Sequence, residues 1–190
     1  MKHFYQSLGE NWFTYPSLYS NMVEYFPEGS HFVEIGTWKG MSATYMAVEI
    51  INSNKNIKLD CVDSWEYIKD LPDDIPEDLF PEDLFTTFLT NIEPVKHIIT
   101  PIKELSWDGA KHYDDGSLDF VFIDAAHDYE SVKKDINAWY PKVKDTGIIA
   151  GHDYEWCDDV RQAVDEFFKP IGFSIQELEG CWVVAKGEII

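Results

Sequence analysis

Two short stretches of the sequence concentrate groups able to do acid–base or metal chemistry. The first, FIDAAHDY, carries Asp124 and His127; the second, GHDY, carries His152 and Asp153. Carboxylates and imidazoles in this mixture could ligate a divalent cation, or divide into metal ligands and a general base. A single histidine in such a place would more often cap a helix or satisfy a core hydrogen bond, but four such groups at two neighbouring points favour a shared cleft. A third stretch, EIGTWKG at 34–40, places Glu34 before Gly36 and Gly40 in a turn that runs into a helical pattern. Glycines let a ligand come close to the backbone, and the start of a helix offers unpaired N–H groups. The spacing is neither the G-x-G-x-x-G dinucleotide pattern nor a phosphate loop, and Glu34 would repel a pyrophosphate. A ligand with a cationic or hydroxyl-rich part suits it better.

These stretches meet only if the elements before them are neighbouring strands. Short apolar runs at 31–36, 57–62, 96–102, 118–124 and 147–151 read as strands, with Pro101 limiting the third. Helical patterns fall at 41–54, 128–139, with Val132, Ile136 and Trp139 on one face, and 158–168. Two last strands, 172–177 and 181–185, lie too close together for a crossover and must form a hairpin. The fold class is therefore α/β: a Rossmann-like, doubly wound, mostly parallel sheet of about seven strands with an antiparallel strand from the C-terminal hairpin. In such sheets ligands bind beyond the carboxyl ends of the strands. That is where Glu34, Asp124, His152 and Asp153 fall. The second strand delivers Asp63, placed to accept hydrogen bonds from vicinal ribose hydroxyls or to sit as a solvated turn acid. After the third strand Ser106 could cap a helix or meet an adenine.

The 190 residues read as one domain, 1–190. Residues 1–30 are an aromatic lead-in expected to form a helix covering the sheet, and could also serve a homo-oligomer contact. Residues 66–94 are an acidic, proline-containing insertion, a candidate lid, with a short helix at 82–91 turning Leu84, Phe85, Phe88 and Leu89 inward. Thirty-five acids against fifteen Lys and Arg give a net charge of -20, which sets aside nucleic acid and anionic membranes as partners. Three dispersed cysteines suggest neither a disulfide framework nor a zinc knuckle. With no apolar leader or spanning segment, a cytoplasmic location is expected.

The ordered set of EIGTWKG, Asp63, FIDAAHDYESVKKDINAWYPKVKDTGIIAGHDY and DDVRQAVDEFF resembles the class I S-adenosylmethionine-dependent methyltransferases over roughly 30–186. More narrowly it is similar to the small-molecule O-methyltransferase branch, macrocin-type and catechol-type, with D-x-x-H-x-Y and G-H-D signatures. The resemblance implies that Glu34, Gly36, Thr37 and Gly40 line the methionine portion of the cofactor. Gly40, Met41 and Ser42 would open the helix beside its carboxylate, and Asp63 would hold the ribose. Trp65 would lie against the adenine or simply pack, and Ser106 and Asp124 would complete the cofactor site. Asp124 matches the first metal aspartate of the catechol-type enzymes, with His152 and Asp153 where the next ligands fall. The histidine departs from their all-oxygen pattern, which disfavours magnesium; a softer metal, or a metal-free site with His127 or His152 as base, stays open. The implied function is methyl transfer from S-adenosylmethionine to a hydroxyl of a small molecule, a sugar or a phenolic. A non-catalytic cofactor-binding subunit, or another Rossmann-like nucleotide enzyme, are the alternatives.

Overall fold

Alternation along the central strands decides the architecture. In β1 (His31–Ile35) Phe32 joins one core while Val33 and Ile35 join another. In β4 (Leu118–Ile123) Phe120 and Phe122 side with Phe32, and Leu118, Val121 and Ile123 with Val33. Strands buried on both faces need helices on both, the arrangement of a parallel sheet with crossovers. The structure, a computed structural model, describes residues 1–9, 12–66 and 83–187.

The remaining strands are β2 (Lys58–Asp63), β3 (Ile99–Lys103), β5 (Val143–Gly151), β6 (Gln176–Leu178) and β7 (Cys181–Ala185). They form one seven-stranded sheet in the order β3-β2-β1-β4-β5-β7-β6. The first five are mutually parallel, and β7 runs antiparallel to both β5 and β6. This is the Rossmann-like methyltransferase fold. Helices α1 (Pro16–Tyr25), α2 (Met41–Ser53) and α3 (Leu84–Ile92) cover the phenylalanine face. The short α4 (Ser106–Gly109), with α5 (Tyr129–Trp139) and α6 (Asp158–Phe168), covers the other. Val132, Ile136 and Trp139 are buried as their spacing predicts. Among the described residues no helix is long and apolar enough to cross a membrane.

Several boundaries differ from the sequence reading. Residues 93–95 form a 3-10 turn, so β3 starts at Ile99, later than expected. Pro101 lies inside β3 opposite Cys61; its missing N–H is tolerated because β3 is an edge strand. β5 begins at Val143, four residues early, across a register irregularity between Leu118 and Phe120. β6 is a three-residue edge strand at Gln176–Leu178 instead of the run at 172–177. In α3, Leu84 and Phe88 are buried and Phe85 is half-buried, but Leu89 is exposed; Ile92, one turn beyond Phe88, takes the inward place. The proline-rich part of the candidate lid, 67–82, lies outside the described residues.

Candidate active site

The site is assembled by backbone hydrogen bonds that continue the sheet past its strand ends. Asp124 N–H donates to the Ile35 carbonyl at 2.8 Å, and His152 N–H to the Ile123 carbonyl at 3.1 Å. The chains leaving β1, β4 and β5 are thereby held side by side. Gly36, at φ 78°, follows β1 so closely that a Cβ there would lie 1.9 Å from the Asp124 carbonyl oxygen. Glycine is the residue type that both this backbone conformation and this approach admit.

The four residues singled out by type do converge. His127 Nε2 stands 3.0 Å from Asp153 Oδ2 and 3.6 Å from Asp124 Oδ1. His152 Nδ1 stands 3.2 Å from Asp153 Oδ2 and 3.8 Å from Asp124 Oδ1. One ligand atom each from Asp124, His152 and Asp153 lies within 4.8 Å of the others. Two carboxylates and an imidazole at that spread are a donor set for a first-row transition-metal ion such as Mn²⁺, Fe²⁺ or Zn²⁺ more than for magnesium. Burial works against the charge on His127, but hydrogen bonding and attraction from Asp124 and Asp153 overcome it and raise its pKa to about 11. His152 is raised in the same way, again against burial and chiefly by Asp153. Burial would raise Asp153, yet its bonds to His127 and His152 hold it well below the ordinary carboxylate range. The protons of such a group belong to the cluster rather than to one residue. His127 thus stands between two carboxylates, which favour the protonated form of its imidazole.

Two further members were not visible in the sequence. The Tyr15 hydroxyl donates to Asp124 Oδ2 at 2.8 Å, and Thr14 Oγ1 meets His152 Nε2 at 3.0 Å. Both come from the segment before α1, more than a hundred positions away, and no local motif marks them.

Beside the cluster opens a cavity of about 530 Å³, lined by Gly36, Thr37, Met41 and Ser42 on the β1–α2 side and by Asp124 and His127 on the other. Trp12, Phe13, Tyr15, Trp38 and Trp156 supply its aromatic walls. Its size is that of a small-molecule pocket, and aromatic faces next to carboxylates suit a positively charged ligand. These features fit a sulfonium cofactor.

The other anticipated cofactor residues lie around this cavity in different ways. Glu34 is buried behind its wall, accepting from Ser42 Oγ at 2.7 Å and from the Tyr19 hydroxyl at 3.0 Å. Burial raises its pKa from 4.5 to about 8, against the lowering by Ser42 and Tyr19. A proton held more tightly in the folded state stabilises it below pH 4.5, and that stability is lost as pH rises through about 8. Glu34→Gln is therefore expected to gain in Tm relative to the parent as pH climbs across this window. A Tm difference independent of pH would contradict the assignment.

Gly40 is the N-cap of α2 at φ 84° and is covered by Phe88 and Ile92 of α3. Asp63 accepts backbone N–H groups of Thr37 and Trp38 at Oδ2, both at 2.9 Å, and of Trp65 at Oδ1, 2.7 Å. It thus fixes the turn that faces the cavity. Trp65 does not offer an open aromatic face: it is 3 % exposed, its ring packs on Phe85 and Phe88, and its indole N–H donates to the Trp38 carbonyl. Ser106 is the first residue of α4 rather than its cap. Its hydroxyl accepts from Trp139 Nε1 at 3.2 Å and bonds the buried Asp135, away from the residues lining the cavity.

A Rossmann-like sheet with a terminal antiparallel strand, a glycine turn after β1 and a cation-suited cavity at its carboxyl edge define the class of S-adenosylmethionine-dependent methyltransferases. Comparison with known proteins agrees. Residues 33–154 match the family described as "Methyltransferase domain", and the chain belongs to that family. Among solved structures, the O-methyltransferase NovP superposes with a TM-score of 0.73 at 17% identity, covering 91% of this chain and 79% of NovP. A SAM-dependent methyltransferase from Aquifex aeolicus gives 0.60 at 13% identity, covering 96% of this chain and 97% of its own. Fibrillarin from Aeropyrum pernix, with natively bound S-adenosyl-L-methionine, gives 0.55 at 14% identity, covering 88% and 73%. At these identities the likeness is one of fold. No curated protein sequence matches the chain significantly.

Proposed function

We propose that this methyltransferase acts on a hydroxyl of a small molecule, with a divalent cation held by Asp124, His152 and Asp153. The observation that carries the reading is the meeting of these three groups with His127 on the wall of the cofactor-sized cavity. When bound, S-adenosylmethionine supplies an electrophilic methyl group on a sulfonium. The cation, when bound, would acidify the hydroxyl it meets. Gly36, Thr37, Met41 and Ser42 would hold the amino-acid part of the cofactor, with Asp63 keeping their turn in shape. The walls exclude water and align the acceptor's oxygen with the methyl, the positioning on which such a displacement depends. Positive charge on Asp124 and Asp153 would offset the attraction that favours the protonated form of His127, and its imidazole, on the cavity wall, would then accept the hydroxyl proton. NovP, named as an O-methyltransferase, supports oxygen as the methylated atom.

One distance favours a second reading. With His127 Nε2 3.0 Å from Asp153 Oδ2, an imidazolium could balance the carboxylates and the site would need no metal. Label transfer from methyl-labelled S-adenosylmethionine to a panel of catechols and hexopyranosides, before and after chelation, separates the two. The proposal expects methylation at oxygen that chelation abolishes and Mn²⁺ or Zn²⁺ restores. Activity indifferent to chelation would select the second reading, and a wild-type protein that methylates none of the panel would count against both.

Calorimetry adds a cofactor-side check. Asp63→Ala removes an acceptor of three backbone N–H groups, and S-adenosylmethionine affinity is expected to fall by roughly 10–100-fold. Unchanged affinity would remove Asp63 from the cofactor site.

A further inference from the structure

We infer that Thr14 and Tyr15, which precede the matched family domain, are positioning residues that complete the active site by fixing His152 and Asp124. The inference rests on the reading above and goes beyond it, because neither residue falls within 33–154.

Tyr15 is 2 % exposed, and its ring packs on Phe122 and on the His152 imidazole, each at 4.7 Å between centroids. Its hydroxyl therefore has one fixed direction, towards Asp124 Oδ2 at 2.8 Å. That bond occupies one carboxylate oxygen and leaves Oδ1, the oxygen nearer both histidines, turned into the cluster. Thr14 does the corresponding work for His152. Its hydroxyl is 3.0 Å from Nε2, so the ring is held with Nδ1 towards Asp153 and Asp124. A hydroxyl both donates and accepts, so Thr14 can serve either tautomer of the ring. Through these hydroxyls the two residues orient an imidazole and a carboxylate, a role separate from that of the Tyr15 ring, which lines the cavity and is kept in Tyr15→Phe.

The segment is itself anchored at both ends. The Glu179 carboxylate, in the turn between β6 and β7, accepts the N–H groups of Ser17 at 3.1 Å and Leu18 at 3.4 Å, at the start of α1. On the other side Asn91 Nδ2 donates to the Leu8 carbonyl at 3.2 Å and to the Lys39 carbonyl at 2.8 Å. The lead-in is thus tied to α3, to the β1–α2 turn and to the terminal hairpin. Two consecutive side chains, one exposed and one buried, reach two different members of the cluster from it.

The test uses the full chain with Thr14→Val, Thr14→Ser and Tyr15→Phe. Thr14 is exposed and valine is close to it in shape, so that variant keeps the fold; Tyr15→Phe removes only an oxygen. Expected are an unchanged Kd for S-adenosylmethionine by calorimetry and a kcat lower by roughly 10–100-fold in Thr14→Val and Tyr15→Phe. KM for the acceptor is expected to stay close to wild type, and Thr14→Ser to restore kcat. Histidine-selective nitrogen NMR gives a readout independent of any acceptor: the His152 Nε2 resonance should move in Thr14→Val and return in Thr14→Ser. Wild-type kcat in both deletion variants, cofactor affinity falling in step with kcat, or an Nε2 resonance indifferent to Thr14→Val would each overturn the inference. If wild type methylates nothing in the panel, the hydroxyl-acceptor reading fails, and the NMR comparison alone decides this one.

Discussion

Replacing Asp124 with asparagine is expected to reduce methyl transfer by ~10²–10⁴-fold while leaving the thermal melt close to that of the parent. Asparagine keeps the shape and can still accept from Tyr15, so the hydrogen bond at 2.8 Å and the packing around it survive. What is lost is the negative charge that faces His127 at 3.6 Å and His152 at 3.8 Å. A neutral oxygen is also a far weaker partner for a cation than a carboxylate. Single-turnover label transfer measures the loss, and a parallel melt shows that it is not unfolding. A variant with near-wild-type turnover would place the chemistry elsewhere.

The largest effect on stability is expected at Gly36. Gly36→Ala should lower the free energy of unfolding by at least ~3 kcal/mol and abolish cofactor binding in whatever remains folded. The new Cβ would meet the Asp124 carbonyl carbon at 2.4 Å and the Ala125 Cα at 2.6 Å, as well as the carbonyl oxygen at 1.9 Å. None of these is the end of a flexible side chain. Moving them apart would strain the bonds from Gly36 N–H to the Val62 carbonyl, 2.9 Å, and from Asp124 N–H to the Ile35 carbonyl, 2.8 Å. Those two bonds align β1 with its neighbours at the cavity, so the same shift would open the site. Urea denaturation monitored by tryptophan fluorescence gives the midpoint, and an unchanged midpoint would refute the close approach of the two strand ends.

How far the sequence reveals this molecule depends on whether the signal is local. Helix α6 is legible to the residue, because Val160, Ala163, Val164 and Phe168 repeat at helical spacing and are buried together. Asp124 and His152 were placed by one rule, that strand ends in a parallel sheet share an edge. Elsewhere the deciding contacts are tertiary. The first part of β5 carries Lys144, Asp145 and Thr146, which read as loop, yet it is held in the sheet by pairing that resumes after an irregularity. Trp65 has the composition of a ligand platform and is consumed by α3, whose packing no motif announces. Asp63 was expected at a ribose; its hold on backbone N–H groups of a turn 25 and 26 positions away was no part of that expectation. Thr14 and Tyr15 lie 138 and 109 positions from the residues they hold. Their types are ordinary for an aromatic-rich lead-in, and only the folded chain gives them a direction.

The proposed function requires one cluster at the carboxyl ends of β4 and β5 to hold a cation beside the methyl donor. Crystals grown with S-adenosylmethionine and Mn²⁺, measured at the manganese edge, test it in a single anomalous difference map. The predicted result is a peak ligated by Asp124, His152 Nδ1 and Asp153 at about 2.0–2.3 Å, with cofactor density in the cavity lined by Gly36, Thr37, Met41 and Ser42. Cofactor in that cavity with no manganese on those three residues, or manganese bound at other residues, would contradict it.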